Sequence, residues 1–114
     1  MDELAQGLCE NGWISFDITP WLGPELLRAL QQEIIVLDQS DALKIAGIGR
    51  GSALIQDRSV RRDKIAWLQG STPSQAALFD FLDNLRTGLN QRLFLGLKRF
   101  EAHYATYHCG DFYK

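Results

Sequence analysis

The sequence predicts an α+β fold in which two or three helices buttress one face of a mainly antiparallel sheet. Two observations predict it. Apolar residues recur at helical spacing in two long segments, whereas shorter segments alternate apolar and polar residues as strands do. The resulting order is helix, strand, helix, loop, strand, helix and strand, and we expect the sheet to be unfinished within these residues.

The composition is that of one globular domain or of part of one. The 114 residues are 46% hydrophobic and 23% charged, which argues against disorder. A net charge of −2 gives no general attraction to nucleic acid or to a membrane surface, and no apolar run approaches the ~20 residues that span a bilayer. The start lacks the features of a signal peptide, and Cys9 and Cys109 make no disulfide framework, so we expect a cytoplasmic location.

The first third of the chain is predicted to contain two helices and a strand. Asp2–Glu10 spaces its leucines for one helical face, with Asp2 as the N-cap. Trp13–Ile18 alternates apolar and polar residues, which predicts a strand. Pro24–Leu37 carries an apolar stripe behind a proline suited to a first helical turn, so we expect an amphipathic helix packed on the sheet.

Residues 39–63 are the least regular segment. The stretch GIGRGS matches neither glycine-rich phosphate-binding pattern. We predict a short strand over Leu43–Ile48 and a long flexible loop in the remainder, because loops of this length are usually functional lids or disordered. Asp57 and Asp63 lie among the arginines of this segment, so we expect it to be solvated and locally neutralised. The arginines are Arg58, Arg61 and Arg62.

The second half of the chain is predicted to contain two strands around a long helix. Lys64–Leu68 alternates as a strand does, and Thr72–Gln75 has the form of a capping box before a helix over about Pro73–Leu93. Phe100–Tyr107 alternates again. One face of this last strand carries Phe100, Ala102, Tyr104 and Thr106, and the other carries Glu101, His103, Ala105 and Tyr107.

Two blocks of sequence carry a resemblance to a known family. Arg62–Gly70 resembles the pattern R-x-D-K-I-x-W-x-x-G of the iron- and 2-oxoglutarate-dependent prolyl hydroxylases, shifted by one because Arg61 and Arg62 both precede Asp63. Phe100–Lys114 resembles the family pattern F-x-A-x-Y-x-x-Y-x-x-G-x-F-Y-K. The family includes the oxygen-sensing animal enzymes and bacterial relatives, and the resemblance follows the order of elements through nearly the whole chain.

The resemblance implies that residues 1–114 are the N-terminal part of a double-stranded β-helix oxygenase domain of the jelly-roll or cupin type, truncated before its iron ligands. Residues 39–63 would be a flexible substrate lid, and residues 99–114 the first core strand. The full dioxygenase would use Fe(II), 2-oxoglutarate and ascorbate, and would hydroxylate a proline of a protein or peptide. The family's His-x-Asp motif does not occur, since His108 begins H-x-x-D. We therefore expect no catalytic residue, no metal ligand and no tight cofactor binding in this chain.

The resemblance also implies roles for individual residues. Tyr107 matches a tyrosine whose hydroxyl donates to 2-oxoglutarate, and His103 on the same face would line that pocket. Packed core positions are the alternative for both and for Trp67, and a zinc site is a further alternative. The residues implied for the substrate side are Arg62, Asp63, Trp67 and Tyr113, and the zinc alternative would use His103, His108, Cys109 and Asp111.

Two hypotheses of different classes follow. In the first, the chain is the N-terminal portion of an active prolyl hydroxylase and is inactive alone. In the second, it is a non-catalytic protein-binding or assembly module derived from that fold. The strand Phe100–Tyr107 would have an unpaired edge, so we expect a homodimer formed by strand pairing or swapping, or else poor solubility. Neither hypothesis includes a nucleic acid or a membrane as partner.

Overall fold

The structure, a computed structural model, describes residues 1–45 and 61–114, and of Ile45 the backbone alone. The chain divides into two compact units. The first comprises Met1–Leu30 and Gln69–Glu101, and the second comprises Gln31–Leu68 and Ala102–Lys114. The elements in chain order are α1 (Asp2–Asn11), α2 (Thr19–Leu22), α3 (Pro24–Gln39), β1 (Lys44–Ile45), β2 (Lys64–Trp67), α4 (Pro73–Leu93) and β3 (His103–Thr106).

The long helix of the first unit, α4, has the predicted bounds. Thr72 is its N-cap, and the Thr72 hydroxyl accepts a hydrogen bond from the Gln75 N–H at 3.2 Å, as the predicted capping box requires. Gly88 lies buried in the middle of this helix. A Cβ at that position would lie 3.0 Å from the terminal methyl carbon of Met1, so the glycine admits the Met1 side chain against the helix.

The first helix, α1, is confirmed, but its predicted N-cap is wrong. Met1 occupies the N-cap position, and Asp2 is the first helical residue. The Asp2 carboxylate instead accepts a hydrogen bond from Arg92 Nε of α4 at 2.5 Å. Leu4 and Ala5 of α1 are buried and form the core of this unit.

The strand predicted over Trp13–Ile18 is wrong, because those residues form neither a helix nor a strand. Their alternation has a different origin. Ile14 packs directly on the Gly7 backbone, where an added Cβ would lie 2.6 Å from Ile14 Cδ1. The rings of Phe16 and Trp21 meet edge to face at 5.5 Å. Apolar residues here therefore pack against α1 and α2 instead of joining a sheet, and α2 itself has no counterpart among the predicted elements.

The second unit contains a three-stranded antiparallel sheet of order β1-β2-β3. The strands predicted over Lys64–Leu68 and Phe100–Tyr107 are confirmed as β2 and β3, and each is shorter than predicted. Beyond the ladder, the Leu68 N–H donates to the Ala102 carbonyl at 2.9 Å. Within the described residues β3 is an edge strand. The partners across β2 and β3 are Lys64 and Thr106, Ile65 and Ala105, Ala66 and Tyr104, and Trp67 and His103.

The part of helix α3 that lies in the second unit is joined to β3 by a hydrogen bond. The helix is confirmed, and it continues past the predicted Leu37 to Gln39. Within the second unit, Glu33 of this helix accepts a hydrogen bond from the Tyr104 hydroxyl at 2.9 Å. Because side chains alternate along a strand, the face of β3 that carries His103 points away from this contact.

The predicted lid, residues 39–63, lies mostly outside the described part of the chain. The strand predicted over Leu43–Ile48 is confirmed at β1, where Lys44 pairs with Ile65 and Ile45 pairs with Lys64. Its remainder lies outside the described residues. Across residues 1–45 and 61–114, no helix has the length and apolar character needed to cross a membrane.

Candidate functional site

One face of β2 and β3 presents aromatic side chains to solvent. Trp67 and His103 are cross-strand partners whose rings meet edge to face with centroids 5.0 Å apart. Trp67 is 56% exposed and His103 is exposed, so neither occupies a core position in this chain. Asp63 and Tyr107 lie one residue beyond the paired segment. Alternation places them on this same face, and the register places them opposite each other.

A buried ion pair lies beside these rings. Arg61 Nε donates to Asp63 Oδ1 at 2.6 Å, and Arg61 Nη2 donates to Asp63 Oδ2 at 2.9 Å. Asp63 has 0% exposed surface and Arg61 has 9%. Two parallel hydrogen bonds from a planar guanidinium make a strong and directional contact with a carboxylate. The prediction of a solvated segment is therefore wrong at these two residues, which neutralise each other inside the fold.

The protonation states of the site follow from these contacts. Desolvation acts to raise the pKa of Asp63, but hydrogen bonds from Arg61, from its own backbone N–H and from Tyr107 hold that pKa below its ordinary value. Desolvation of the Tyr107 hydroxyl raises its pKa, and the negative charge of Asp63 raises it further. At neutral pH the site therefore holds an ionised carboxylate beside a protonated phenol.

The segment that follows β3 closes one side of the site. The Arg61 guanidinium carbon lies 4.3 Å from the centre of the Tyr113 ring, and the backbones of these two residues form an antiparallel bridge. The Arg62 N–H donates to the Phe112 carbonyl at 2.6 Å, and the Arg62 guanidinium lies 4.9 Å from the Phe112 ring. The two arginines therefore face different neighbours, and Arg61 is the one that meets Asp63.

A tight turn connects β3 to this closing segment. The His108 N–H donates to Asp111 Oδ2, and the Asp111 N–H donates to the His108 carbonyl, both at 2.9 Å. His108 Nε2 lies 3.0 Å from Asp38 Oδ2 on α3, and Cys109 is an exposed free thiol. Over the part of the chain that is described, no three His, Cys, Asp or Glu side chains form a group that could hold a metal, so the zinc alternative finds no support there.

Sequence reasoning placed most of this cluster but missed one member. Arg61 was interpreted as a solvated charge, although residues two apart share a face in an extended chain. The pattern R-x-D-K-I-x-W-x-x-G also fits without a shift when Arg61 supplies its arginine. The predicted site residues that the second unit brings to one side are Asp63, Trp67, His103, Tyr107 and Tyr113, with Arg62 turned toward Phe112.

In fold, the chain is similar to the prolyl hydroxylases. One structure that it resembles is the crystal structure of a prolyl-4-hydroxylase from Pseudomonas putida, with a TM-score of 0.86 and 32% sequence identity. The similarity covers 99% of this chain, and the chain spans 58% of that protein's length. No protein-family model and no curated protein matches the sequence. Identity at this level over nearly every residue supports a relationship to a prolyl-4-hydroxylase.

Proposed function

We propose that this chain is the substrate-facing part of an Fe(II)- and 2-oxoglutarate-dependent dioxygenase that hydroxylates a proline of a protein or peptide. The observation that carries the proposal is the similarity to a prolyl-4-hydroxylase across 99% of the chain. The aromatic face and Asp63 of the ion pair fall within the two sequence blocks that resemble the family, and Arg61 directly precedes the first block. In the complete enzyme, β3 would be the first core strand of a double-stranded β-helix.

Tyr107 is the residue that we assign to 2-oxoglutarate. Its side chain is 51% exposed, and its raised pKa keeps the hydroxyl protonated, so it can donate a hydrogen bond to a carboxylate. His103, exposed on the same face, is assigned to the same pocket. The donors present therefore fit one end of an organic acid.

The exposed rings of Trp67 and Tyr113 are assigned to the substrate. Aromatic surfaces are the usual partners of prolyl segments, which pack their rings on flat apolar faces. Asp63 and Arg62 belong to the same side of the site. Since Asp63 has 0% exposed surface, its role there is to hold Arg61 and Tyr107 in place.

The described residues do not fit an iron ion, because they contain no group of three potential ligands. A mononuclear oxygenase requires two histidines and a carboxylate on one face of its metal. We assign these ligands to the part of the enzyme outside this chain, consistent with its 58% coverage of the Pseudomonas protein. In the complete enzyme dioxygen would be the oxidant, Fe(II) and 2-oxoglutarate would supply the chemistry that activates it, and ascorbate would serve as a reductant. The chain alone is expected to be inactive.

Titration with Fe(II) and 2-oxoglutarate tests this function. We expect the 114-residue chain to bind neither tightly, and a longer protein that includes the residues encoded after Lys114 to release succinate from 2-oxoglutarate. In the longer protein, Tyr107→Phe should raise the KM for 2-oxoglutarate. Tyr104→Phe is the matched control, because Tyr104 faces Glu33 on the other side of β3. Turnover by the short chain would contradict our placement of the iron ligands, and its absence from the longer protein would favour the binding module.

We also propose that the free edge of β3 pairs with a second copy of the chain. β3 has one strand neighbour within the described residues, so backbone groups along its other edge are available there to pair with another strand. Sedimentation equilibrium should show a dimer that dissociates on dilution. Ala105→Lys places a charge on this edge and should return the chain to a monomer. A wild-type monomer at high concentration would contradict this pairing.

A further inference from the structure

Two neighbouring arginines each stack on an aromatic ring, but in opposite order from inside to outside. Arg62 is exposed and lies 4.9 Å from the half-buried ring of Phe112, so an exposed cation covers an apolar ring. Arg61 is buried and lies 4.3 Å from the centre of the Tyr113 ring, and the Tyr113 side chain is 51% exposed. In this second pair the ring is the outer member, and the cation behind it is desolvated.

We propose that Arg61 is a positioning residue for Tyr113, and that it holds the Tyr113 ring as a fixed flat surface on which a prolyl segment of the substrate packs. This inference rests on the proposed function, because that function assigns Tyr113 to the substrate. Arg61 is buried, so it acts on the substrate through the orientation of the ring.

Arg61 can fix the ring because its own side chain and backbone are fixed. Its guanidinium donates to both carboxylate oxygens of Asp63, at 2.6 and 2.9 Å, and two hydrogen bonds set the plane of the group. Asp63 has 0% exposed surface, so this anchor lies inside the fold. The backbones of Arg61 and Tyr113 form an antiparallel bridge. One residue therefore holds both the backbone and the ring of Tyr113.

The stacking leaves part of Tyr113 available to a ligand. A guanidinium packs on the flat face of an aromatic ring, and about half of the Tyr113 side chain remains in solvent. Proline-rich segments dock on aromatic surfaces, and a ring that is already ordered loses less conformational entropy on binding. A lysine in place of Arg61 keeps the positive charge beside Asp63 but loses the planar group that meets the carboxylate and the ring together.

Fluorine NMR of the 114-residue chain labelled with fluorotyrosine tests the positioning. In Arg61→Lys we expect the Tyr113 resonance to narrow and to move toward that of free fluorotyrosine, because the ring gains mobility. The Tyr104 resonance should stay in place, since Tyr104 lies on the other face of β3. Arg62→Lys is the matched control, because it makes the same change beside Phe112, and it should leave the Tyr113 resonance near its wild-type position. Equal shifts in the two variants, or none in Arg61→Lys, overturn the inference.

Titration with a synthetic hexaproline peptide tests the link to the substrate. The indole N–H resonance of Trp67, a side chain that is 56% exposed, reports binding in every variant. We expect Arg61→Lys to raise the midpoint roughly fivefold, an effect no larger than the contact between cation and ring that orders Tyr113. An Arg61→Lys midpoint equal to that of the wild type overturns the inference, and so does a wild-type chain in which the peptide moves neither the Trp67 nor the Tyr113 resonance.

A double-mutant cycle determines whether the effect of Arg61 passes through Tyr113. Tyr113→Leu removes the ring and should weaken peptide binding by itself. In that background Arg61→Lys should cause no further change, because no ring remains for the guanidinium to orient. A second loss of similar size would mean that Arg61 acts on the peptide by another route, and it would overturn the inference. The proposed function fails separately, when the longer protein releases no succinate from 2-oxoglutarate.

A second measurement keeps the inference testable where Arg61→Lys does not fold. Tyr113→Leu changes a half-exposed side chain and leaves the contact of Arg61 with Asp63 in place. The Arg61 side-chain protons should then lose the ring-current shift that a ring at 4.3 Å induces, whereas the Arg61 Nε–H resonance should keep the signature of its hydrogen bond. Unchanged Arg61 side-chain protons in Tyr113→Leu would mean that the guanidinium and the ring are not stacked, and that result overturns the inference.

Discussion

The two compact units of the chain differ in where they place their charge pairs. In the first unit, Arg92 meets Asp2 at 2.5 Å, and the Asp2 side chain is 90% exposed. Arg86 meets Asp83 one helical turn away, also on the surface. In the second unit, the Arg61–Asp63 pair is almost wholly buried. These charge pairs of the first unit therefore lie at its surface, whereas the second unit contains a buried charge pair.

This difference in burial distinguishes a surface ion pair from one that belongs to the candidate functional site. Exposed pairs contribute about 0–1 kcal/mol, because water and salt screen them. Burying two charges costs desolvation free energy, and the attraction between them often does not offset that cost. Stability alone therefore rarely explains why a protein contains a buried ion pair. The Arg61–Asp63 pair has a further contact that an isolated pair would lack, between the Arg61 guanidinium and the half-exposed Tyr113 ring. We infer that the pair is explained by the side chains that it holds at the exposed face.

The largest expected effect is on the buried pair. Asp63→Ala removes one partner and leaves a guanidinium desolvated beside Tyr113, so the free energy of unfolding should fall by about 3–5 kcal/mol. Urea denaturation measures it. Asp2→Ala is the control from the first unit, and it should change stability little because that carboxylate is exposed.

Replacing both partners separates the cost of leaving one buried charge unpaired from the cost of losing the ion pair itself. The double variant Arg61→Met, Asp63→Leu removes both charges and fills similar volume, so it should be more stable than Asp63→Ala alone. Equal losses from Asp63→Ala and Asp2→Ala would mean that the two units do not differ in the way that their burial indicates.

The elements predicted correctly from sequence are those whose signals are local. The capping box at Thr72 and the long apolar stripe behind it define α4, and alternation defines β2 and β3. The strand predicted over Trp13–Ile18 failed because alternation does not specify a partner. Ile14 of this segment packs on Gly7, and Phe16 packs on Trp21. Both contacts depend on tertiary packing.

The candidate site shows the same boundary between local and tertiary information. Alternation predicted that Tyr107 and His103 share one face of their strand, and the register of β2 and β3 adds Trp67 to that face. The burial of Arg61 was missed because Arg61 is one of several charged residues in a glycine-containing segment that was predicted to be solvated. Its burial depends on the Tyr113 ring, which lies far along the sequence, and only the R-x-D spacing could have indicated the pair.

The next effect concerns the first unit, where backbone geometry should matter more than charge. Gly70 has φ +74, and a Cβ there would lie 2.9 Å from Phe79 Cδ2. Gly70→Ala should therefore cost about 2 kcal/mol, from a left-handed backbone and a crowded ring. Gly96 has φ +68 with no atom within 4 Å of an added Cβ, so Gly96→Ala should cost only about 1 kcal/mol, the backbone part alone.

Thermal or urea unfolding measures both losses, and added salt should leave them unchanged because no charge is involved. Equal losses at the two glycines would mean that the Phe79 ring moves aside for the new methyl group. The contact with that ring would then contribute little to the stability of the unit.

The smallest expected effect is the response to acid, which has the same sign in both units but should differ between them in its sensitivity to salt. Desolvation acts to raise the pKa of Asp63, but hydrogen bonding from Arg61 and from the Asp63 backbone N–H, together with the positive charge of Arg61, gives a net lowering of that pKa. The unfolded chain then takes up a proton first, near the ordinary carboxyl pKa of about 3.9. The contribution of Asp63 to stability is therefore complete above that pH and is lost as the pH falls through the lower pKa of the folded chain.

Comparison of the wild type with Asp63→Asn in urea at several pH values isolates the contribution of the Asp63 carboxylate to the free energy of unfolding. The difference in unfolding free energy should be constant above about pH 5 and shrink on acidification. Asp2→Asn is the control, because hydrogen bonding to Arg92 also lowers the pKa of Asp2 while its exposure leaves it screened. Added salt should diminish the Asp2 difference and leave most of the Asp63 difference in place. A difference for Asp63 that does not change with pH would mean that folding does not stabilise the ionised form of its carboxyl group, and that the contact with Arg61 contributes no net electrostatic stabilisation.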